Sequence, residues 1–390
     1  MKRKQFLLSA LGCAPAITLM AGRNTFFQHH KKIEGQLRID SIRLTTGKGP
    51  CKLRFSYGKV NEYPFGLIRI RSGKYEGIGE GHIIDFEAFK TAAKQLIGAD
   101  ALQLDNLVSK QWFPAIGEAI SIALHDLVAK ASGIPFHVLL GGAVRKQVPV
   151  MPCIFPENTN DAALKAGQFS QQGFEGVKFK FVGEAKEDLA NLKAIRKALP
   201  EKMFIIADAN RGYKDVKAFY EHLPEFASAG LSIAEDPIDG NYENYAYMRG
   251  KTDAKIMVDI KVRSEETLRL ALAAGAADII NLHPNQQGSL SRAIARAKAS
   301  EIMGCKVWIG GTGSFGVQAA AYQQLASVIG TSMPCGEVGG LFDHGFVNDI
   351  IEKPYELKNG AVTLPDEAGL GIRLDEKAIK EMQTADEELR

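Results

Sequence analysis

The sequence predicts an α/β protein whose larger part is a (β/α) barrel, and three observations support this prediction. From Val148 onward, short apolar runs alternate with stretches of helical spacing, as successive strand–helix units require. Three of the runs end in an acidic residue, at Asp208, Glu235 and Asp259, and the intervals of 27 and 24 residues fit one strand–helix repeat. The sequence has no glycine-rich dinucleotide turn after the first run, which argues against an open doubly wound sheet. We therefore expect a barrel that carries the acidic residues at one rim.

The first residues are expected to be an export signal or a disordered segment. Residues 1–4 are basic, and residues 6–21 are mostly apolar with small residues near their end. Residues 3–7 approximate a twin-arginine motif, which suits a protein exported in its folded state. We therefore predict a periplasmic or otherwise exported protein, with a cytoplasmic protein as the alternative. A glycine and a proline interrupt the apolar stretch, so we expect no stable membrane span.

The segment before the barrel is predicted to fold as an α+β domain. Residues 36 to 90 alternate like antiparallel strands, with a turn signal at Ser72-Gly73. Residues 86 to 140 have helical spacing, and the amphipathic stretch 120–130 is followed by a helix stop. The end of the chain returns to strand-like residues. We therefore expect four parts, namely a signal at 1–32, a capping domain at 36–145, a barrel at 146–350, and a tail at 351–390 that returns to the capping domain.

The composition is that of an ordinary soluble globular protein. Of the 390 residues, 45% are hydrophobic and 24% are charged, as is usual for such proteins. A net charge of +3 without a dense basic stripe argues against nucleic acid as a partner. Four cysteines lie far apart without metal-knuckle spacing, and we expect them to be buried free thiols: Cys51, Cys153, Cys305 and Cys335.

The acidic strand ends predict a magnesium site. Carboxylate oxygens are the ligands that Mg²⁺ prefers, and Asp208, Glu235 and Asp259 supply three such groups at one rim. The ion would bind a substrate carboxylate and stabilise the enediolate that forms when the neighbouring C–H bond is deprotonated.

A lysine pair on the preceding strand predicts the base. Lys178 and Lys180 are two residues apart, so both side chains point to the same face of the strand. A second ammonium close to a lysine lowers the pKa of that lysine. We therefore assign Lys180 as the base, and Lys178 as its electrostatic neighbour and as a contact for the substrate carboxylate.

Taken together, these motifs resemble the enolase superfamily, in its mandelate racemase and muconate lactonizing branch. The resemblance runs from about residue 40 to 375 and rests on Lys178-Phe179-Lys180, Asp208-Ala209-Asn210, Glu235-Asp236-Pro237, Asp259 and Asp278-Ile279-Ile280-Asn281. It implies a modified (β/α)7β barrel of the TIM type with an N-terminal α+β capping domain, one essential magnesium, and proton abstraction next to a carboxylate. It also implies metal ligands at Asp208, Glu235 and Asp259 and a base at Lys180. Asn210 is expected to support the metal ligands without binding the ion itself.

The departures from that family leave the second half of the reaction open. His283 stands at the end of the sixth strand, where the muconate branch has a lysine, and we expect it to act as the second acid or base. Lys261 is the alternative for that role. The seventh strand lacks the histidine of the racemase branch, and the eighth lacks the Asp-x-Asp pair of dipeptide epimerases. Glu337 on the eighth strand resembles a glutamate that hydrogen-bonds the substrate carboxylate.

The predicted function is that of an isomerase, a racemase, epimerase or cycloisomerase, that removes the α-proton of a small carboxylate. A sugar-acid dehydratase, in which His283 protonates a leaving hydroxyl, is the first alternative. A ligand-binding protein with a degenerate site is the second. We expect substrate specificity to come from capping-domain loops near residues 47–57 and from the eighth-strand loop, and we expect a homo-oligomer.

Overall fold

The computed structural model describes residues 35–82, 85–108, 110, 114–311, 313–339 and 345–390, and these ranges form three sheets with surrounding helices. The export signal predicted at 1–32 lies outside them. Within the same ranges, no helix combines the length and the apolar character needed to span a bilayer.

The elements are numbered along the chain. The strands are β1 (Ser41–Phe55), β2 (Gly58–Ser72), β3 (Tyr75–Gly81), β4 (Gln147–Pro149), β5 (Cys153–Ile154), β6 (Gly176–Lys180), β7 (Phe204–Asp208), β8 (Ile233–Glu235), β9 (Lys255–Val258), β10 (Ile279–Leu282), β11 (Lys306–Ile309), β12 (Leu357–Lys358), β13 (Ala361–Thr363) and β14 (Gln383–Leu389). The helices are α1 (Phe86–Leu96), α2 (Leu104–Val108), α3 (Pro114–Ser132), α4 (Phe136–Leu139), α5 (Thr159–Ser170), α6 (Ala185–Ala198), α7 (Val216–Ser228), α8 (Tyr242–Met248), α9 (Glu265–Ala273), α10 (Pro284–Gln287), α11 (Leu290–Ile302), α12 (Gly316–Val328) and α13 (Glu376–Met382), with a 3-10 turn at Ile260–Val262.

The N-terminal sheet is antiparallel, in the order β14-β1-β2-β3, and packs against α3. Gly77 and Gly79 of β3 make this close packing possible. A Cβ atom added at Gly77 would lie 2.0 Å from the carbonyl oxygen of Ala123, and one added at Gly79 would lie 2.0 Å from that of Ala119. Side chains on this strand would therefore force the helix away from the sheet.

The barrel sheet is parallel, in the order β5 to β11 along the chain. Residues 332–336 occupy the eighth position and close the ring. On one side of this segment, Met333 N donates to Val307 O (2.8 Å), and on the other, Cys335 N donates to Pro149 O (2.8 Å). The (β/α)7β barrel with an additional antiparallel domain is thus confirmed.

Polar caps fix where the barrel helices start. In five of them, the N-cap side chain accepts a hydrogen bond from a backbone N–H of the first turn, which satisfies donors that have no partner within the helix. These caps are Asn158, Asp215, Asn241, Ser264 and Ser289.

The first barrel strand agrees with its prediction only in part. The apolar run from Val148 to Met151 was expected to form it, and Val150 does form a parallel bridge with Cys335 in the barrel ring. The preceding residues, in β4, instead pair antiparallel with β13 in a small sheet with the C-terminal segment. The strand that pairs with β6 is β5, a few residues later. An apolar run shows that a segment is buried but does not show which of two neighbouring sheets buries it.

The side chains inside the barrel show which residues at the strand ends face inward. A separate buried cluster of inward-facing side chains fills the barrel: Met151, Ile206, Ile233, Met257, Ile279 and Trp308. Because side chains alternate along a strand, residues two positions further along face the same way. By this rule Asp208, Glu235, Asp259 and Asn281 face the inside, at the carboxyl-terminal rim.

Two buried glutamates join the N-terminal domain to α12. Glu80 of β3 accepts hydrogen bonds from Phe315 N (2.7 Å) and Gln318 N (2.8 Å), and so caps the start of that helix. Glu118 of α3 accepts from the Tyr322 hydroxyl (2.5 Å) and from Gln318 Nε2 (2.8 Å). Burial raises the pKa of each glutamate to about 8.

The segment 47–57, expected to contain specificity loops, is mostly regular strand. Residues 47–55 belong to β1, and the chain turns into β2 at Ser56 and Tyr57. The rings of Phe55 and Tyr57 stack with their centroids 4.8 Å apart at this turn. The hairpin tip thus carries two aromatic rings, while β14 pairs with the other part of β1. The domain boundaries remain a prediction. The four cysteines expected to be buried free thiols form no disulfide, and three of them are buried, whereas Cys153 is half-buried.

Candidate active site

A cavity of about 220 Å³ opens at the carboxyl-terminal ends of the barrel strands. Its wall combines aromatic rings with charged side chains from several strands. The aromatic residues are Phe55, Tyr57, Phe155 and Trp308, and the charged or titratable residues with a role in the argument below are Lys178, Lys180, Asp208, Arg211, Asp259, Arg263 and His283.

Lys178 and Lys180 are both buried in this cavity, each only 8% exposed. Lys180 Nζ lies 2.5 Å from Asp208 Oδ2 and 3.3 Å from Asn210 Oδ1. Lys178 Nζ lies 2.6 Å from Glu235 Oε2 and 3.2 Å from Asp208 Oδ2. The predicted lysine pair is therefore brought together with two of the predicted carboxylates.

The charges around the lysines reverse the pKa direction that the sequence suggested. Burial pushes the pKa of Lys180 down, and Lys178 adds to this, but the surrounding negative groups, chiefly Asp208, outweigh both, so the pKa is raised. For Lys178, Glu235 and Asp208 outweigh burial in the same way, and the pKa of Lys178 is raised too. The expectation that Lys178 gives its neighbour a net lowered pKa is wrong for this arrangement, because the carboxylates, chiefly Asp208, outweigh the second ammonium and burial.

Asp208, Glu235 and Asp259 lie at the same rim of the barrel, but Asp259 is displaced from the other two along the strand direction. Asp208 and Glu235 are register partners on β7 and β8. Glu235 is paired with Met257 on β9, so Asp259 lies two residues further along, a rise of about 7 Å. Across the ranges that the structure describes, no three His, Cys, Asp or Glu side chains form a ready metal-binding group. The Lys178 ammonium contacts both Asp208 and Glu235 instead.

These carboxylates nevertheless fit a divalent cation. Asp259 Oδ1 is buried and has no hydrogen-bond partner among the described residues. Burial raises the pKa of both Glu235 and Asp259, and the negative charge of Asp208 raises both further, so a cation between these carboxylates would relieve their repulsion. An oxygen-only donor set of this kind suits magnesium.

Three neighbouring polar residues position the carboxylates. Asn210 donates to Asp208 through its backbone N (2.8 Å) and its Nδ2 (3.3 Å). Asn281, which had no assigned role, donates from Nδ2 to Glu235 Oε1 (2.7 Å). Asp236, also unassigned, accepts from the backbone N of Asp259 (3.1 Å) and of Ile260 (2.8 Å). The period-two spacing from Ile279 to Asn281 is the signal that could have identified Asn281.

His283 faces Lys180 across the cavity. It follows β10 directly, is 4% exposed, and its Nε2 lies 3.5 Å from Asp259 Oδ2. Burial lowers the pKa of His283 to about 3, so the imidazole is neutral at neutral pH. In a ring of eight positions, β6 is second and β10 is sixth, with three positions between them in either direction. The two side chains therefore extend from opposite walls.

Two other predicted residues lie outside the cavity wall. Lys261 belongs to the 3-10 turn, and its carbonyl accepts a hydrogen bond from the Tyr242 hydroxyl (2.8 Å). Glu337 is fully buried and accepts from Ser314 Oγ (2.6 Å). It lies behind Gly311, where a Cβ atom would be 2.3 Å from Glu337 Oε1. Neither residue reaches the space that Lys180 and His283 share.

The structure also brings two arginines to the cavity that were not predicted, Arg211 and Arg263. Arg211 follows the Asp208-Ala209-Asn210 motif, and Arg263 follows the 3-10 turn after Asp259. Each is separated from a metal-ligand candidate by only a few residues, yet neither position carries a sequence signal of its own.

Comparison with known proteins places this site in a wider group. A family model described as enolase C-terminal domain-like matches residues 161–378. The N-succinyl-L-Arg/Lys racemase of Bacillus cereus is 24% identical over 368 residues, which cover 89% of this chain and 98% of that protein. The N-succinylamino acid racemase of Thermus thermophilus is 26% identical over 361 residues, covering 87% and 95%.

The fold has a close counterpart among solved structures. The dipeptide epimerase from Cytophaga hutchinsonii, complexed with Mg and a dipeptide, superposes with a TM-score of 0.81 at 22% identity. The superposition covers 90% of this chain and all of that one. Barrel and antiparallel domain are thus shared over almost the whole length.

Proposed function

The chain belongs to the enolase C-terminal domain-like family and is an enolase-superfamily enzyme of the isomerase type, and from this premise we propose that it racemises or epimerises a small carboxylate. In the proposed reaction, the proton on the carbon next to the carboxylate is removed from one face and returned to the other. The two steps need two acid–base groups on opposite sides of that carbon.

The placement of Lys180 and His283 supports this proposal. They extend into one cavity from strands four positions apart in the ring, and both are buried. A planar intermediate between them would expose one face to each side chain. A single base would account for proton removal but not for inversion of the carbon.

The proton balance assigns a role to each residue. Because the pKa of Lys180 is raised and that of His283 is lowered, the resting pair carries its one proton on Lys180. Starting from one enantiomer, His283 Nε2 or Nδ1 accepts the α-proton, and Lys180 Nζ donates its proton to the opposite face. Starting from the other enantiomer, Lys180 as a neutral amine accepts the α-proton, and the His283 imidazolium donates. Each direction returns the pair to one proton in total.

Asp208, Glu235 and Asp259 would hold a magnesium ion, as their burial and oxygen donors suit it. When bound, the ion supplies positive charge to the substrate carboxylate and so acidifies the neighbouring C–H bond. Lys178 adds a fixed ammonium beside the same carboxylate. Asn281 and Asn210 keep two of the ligand carboxylates oriented through the hydrogen bonds described above.

Hydrogen–deuterium exchange tests this function. Since two curated relatives are named for the racemisation of N-succinylamino acids, N-acylated amino acids form the first panel. With magnesium in D₂O, we expect deuterium at the α-carbon of both recovered substrate and product, starting from either enantiomer. Lys180→Ala should slow exchange from one enantiomer by about 10²- to 10⁴-fold, and His283→Asn from the other.

Other outcomes would identify the alternatives. Loss of a β-hydroxyl without exchange into recovered substrate would indicate a dehydratase. Binding without exchange, unaffected by magnesium, would indicate a ligand-binding protein and overturn the proposal.

We also propose that the enzyme is exported and forms a homo-oligomer. The basic and apolar residues within 1–21 support export. Fusion of residues 1–32 to a reporter that functions only outside the cytoplasm tests this, and light scattering of the purified chain tests oligomerisation. An inactive reporter, retained in the cytoplasm, would contradict export. A monomer in light scattering would contradict the homo-oligomer.

A further inference from the structure

We propose that Arg211 and Arg263 form a second anion-binding position in the cavity, which selects substrates that carry a second carboxylate remote from the reacting carbon. This rests on the proposed function for the place of the first carboxylate, beside Lys178 and the metal ligands. The two arginines come from different strand ends, after β7 and after β9, and line the same cavity.

Arg211 is held at the cavity by a turn that is unusual for its residue types. Asn210 has φ of 46° and Arg211 has φ of 59°, two successive non-glycine residues in the left-handed region. Such conformations are uncommon for bulky side chains and persist only where surrounding contacts enforce them. The hydrogen bond from Arg211 N to Asp236 O (2.7 Å) is one such contact.

The guanidinium of Arg211 retains unused binding capacity. Its Nε is buried and has no hydrogen-bond partner among the described residues. Its nearest acid is Asp239, with Oδ1 3.5 Å from Nη1, and that carboxylate is also approached by Lys214 at 3.5 Å. A contact at this distance between partly exposed groups is weak, so a ligand carboxylate can compete for Arg211.

Arg263 is anchored through its backbone, leaving its side chain available. Its carbonyl accepts from Arg296 Nη1 (3.0 Å). Within the described ranges its guanidinium makes no ion pair, although it lines the cavity. Burial and Lys178 lower the pKa of His283, and Arg263 contributes to the same shift, which places its charge within range of the reacting groups.

The cations of the cavity wall leave room for a second anion. Four cationic side chains line the cavity, Lys178, Lys180, Arg211 and Arg263. The lysines are engaged by Asp208 and Glu235, whereas no acidic group of the described residues engages the arginines at comparable distances. The first substrate carboxylate, placed beside Lys178, leaves both arginines without a close anion. A second one would also match the planar guanidinium, which binds carboxylates through two parallel N–H donors.

A matched pair of ligands tests the position. N-succinyl-L-alanine carries a distal carboxylate, and its succinamide analogue, N-(3-carbamoylpropanoyl)-L-alanine, replaces only that group by a neutral amide. Calorimetric titration of the magnesium-loaded enzyme is expected to show the dianion binding about 10-fold or more tightly, as charge-assisted hydrogen bonds do. Because the arginines are partly exposed, raising the salt concentration should reduce this preference.

Substitutions of Arg211 and Arg263 test whether these two side chains cause the preference for the dianion. Arg211→Met and Arg263→Met should each remove most of the difference between the ligands by weakening dianion binding alone, and Arg211→Lys should restore part of it. Arg269→Met, an exposed arginine of α9 outside the cavity wall, should leave the difference unchanged.

The results separate this proposal from the proposed function. Equal binding of the two ligands, binding of neither, or a preference that survives both methionine variants would overturn the second anion position. α-Proton exchange on the monoanionic analogue would then still support the racemase. Conversely, the enzyme could prefer the dianion through its arginines and still exchange the α-proton of no substrate. That result would support the second anion position and contradict the proposed racemisation.

Discussion

Lys180 and Asp208 are register partners on adjacent barrel strands, and their side chains meet at 2.5 Å between Nζ and Oδ2. Both residues are buried. The two ammoniums beside Asp208 lower its pKa despite its burial, just as the carboxylates raise the pKa of Lys180. The proposed base and a proposed metal ligand thus stabilise each other's charge before any substrate is present.

Replacing Lys180 by Ala should therefore affect chemistry and stability differently. We expect exchange of the α-proton that Lys180 removes to fall by about 10²- to 10⁴-fold, the usual effect of losing a positioned base. Asp208 also loses its closest counter-charge, so the unfolding free energy without magnesium should fall. Exchange measured by NMR and urea unfolding with and without magnesium check the two effects.

Lys165→Ala is the matched control, because Lys165 forms a partly exposed ion pair with Asp161 on α5. It should change stability by at most about 0.5 kcal/mol and leave exchange intact. A Lys180→Ala enzyme that exchanged both enantiomers at the original rates would exclude Lys180 as an acid–base group.

Asn281 should control metal affinity without being a ligand. Its Nδ2 holds Glu235 Oε1 at 2.7 Å, and removing such a support weakens metal binding by about 10- to 100-fold. Asn281→Ala should therefore need more magnesium to reach the same thermal shift, while Glu235→Gln should show a larger loss. The midpoint of the melting temperature against magnesium concentration measures both.

An unchanged magnesium midpoint in Asn281→Ala would show that Glu235 needs no such support. If Asp208→Asn, Glu235→Gln and Asp259→Asn all responded to magnesium like the original protein, the ion would not bind at these carboxylates.

The strand ends were predictable because their signal is local. A buried parallel strand is a short apolar run, and a carboxylate directly after it must lie at the rim. Side chains alternate along a strand with a period of two, so the sequence alone also predicts that Lys178, Lys180 and Asp208 face the inside of the barrel. His283 follows the same rule on the sixth strand.

What the sequence could not supply depends on distances between segments. The spacing of residues along the chain does not determine the register between neighbouring strands. The offset of Asp259 from Glu235 was therefore not predictable. The pKa of Lys180 is raised because the neighbouring acidic groups, chiefly Asp208, outweigh Lys178 and burial, and this balance depends on how the strands are placed in space. Arg211 lines the cavity from a turn in which Asn210 and Arg211 both have positive φ, a conformation that their residue types do not announce.

Gly79→Ala should destabilise the protein by about 1–3 kcal/mol or more, because the added methyl group would overlap the Ala119 carbonyl oxygen at 2.0 Å. The helix would have to move away from β3. Urea unfolding measures the change. Gly167→Ala on α5 is the control: it meets no atom within 4 Å, and alanine favours a helix, so it should stabilise by about 0.5–1 kcal/mol. Equal effects of the two changes would contradict the close packing of α3 on β3.

Glu118→Gln should flatten the dependence of stability on pH. The carboxyl has a pKa of about 4.3 in the unfolded chain, and burial raises the pKa of Glu118 to about 8 in the folded protein. Between these values the folded state binds more protons than the unfolded state, so this residue makes the unfolding free energy fall as the pH rises from about 4 to 8. Glutamine keeps the shape and has no proton to lose. Urea unfolding at pH 5, 6.5 and 8 should therefore show a smaller decline in the variant, whereas Glu201→Gln, at an exposed position, should decline like the original protein. A variant that lost stability as steeply as the original between pH 5 and 8 would show that Glu118 is already ionised when buried, with the Tyr322 and Gln318 hydrogen bonds offsetting its desolvation.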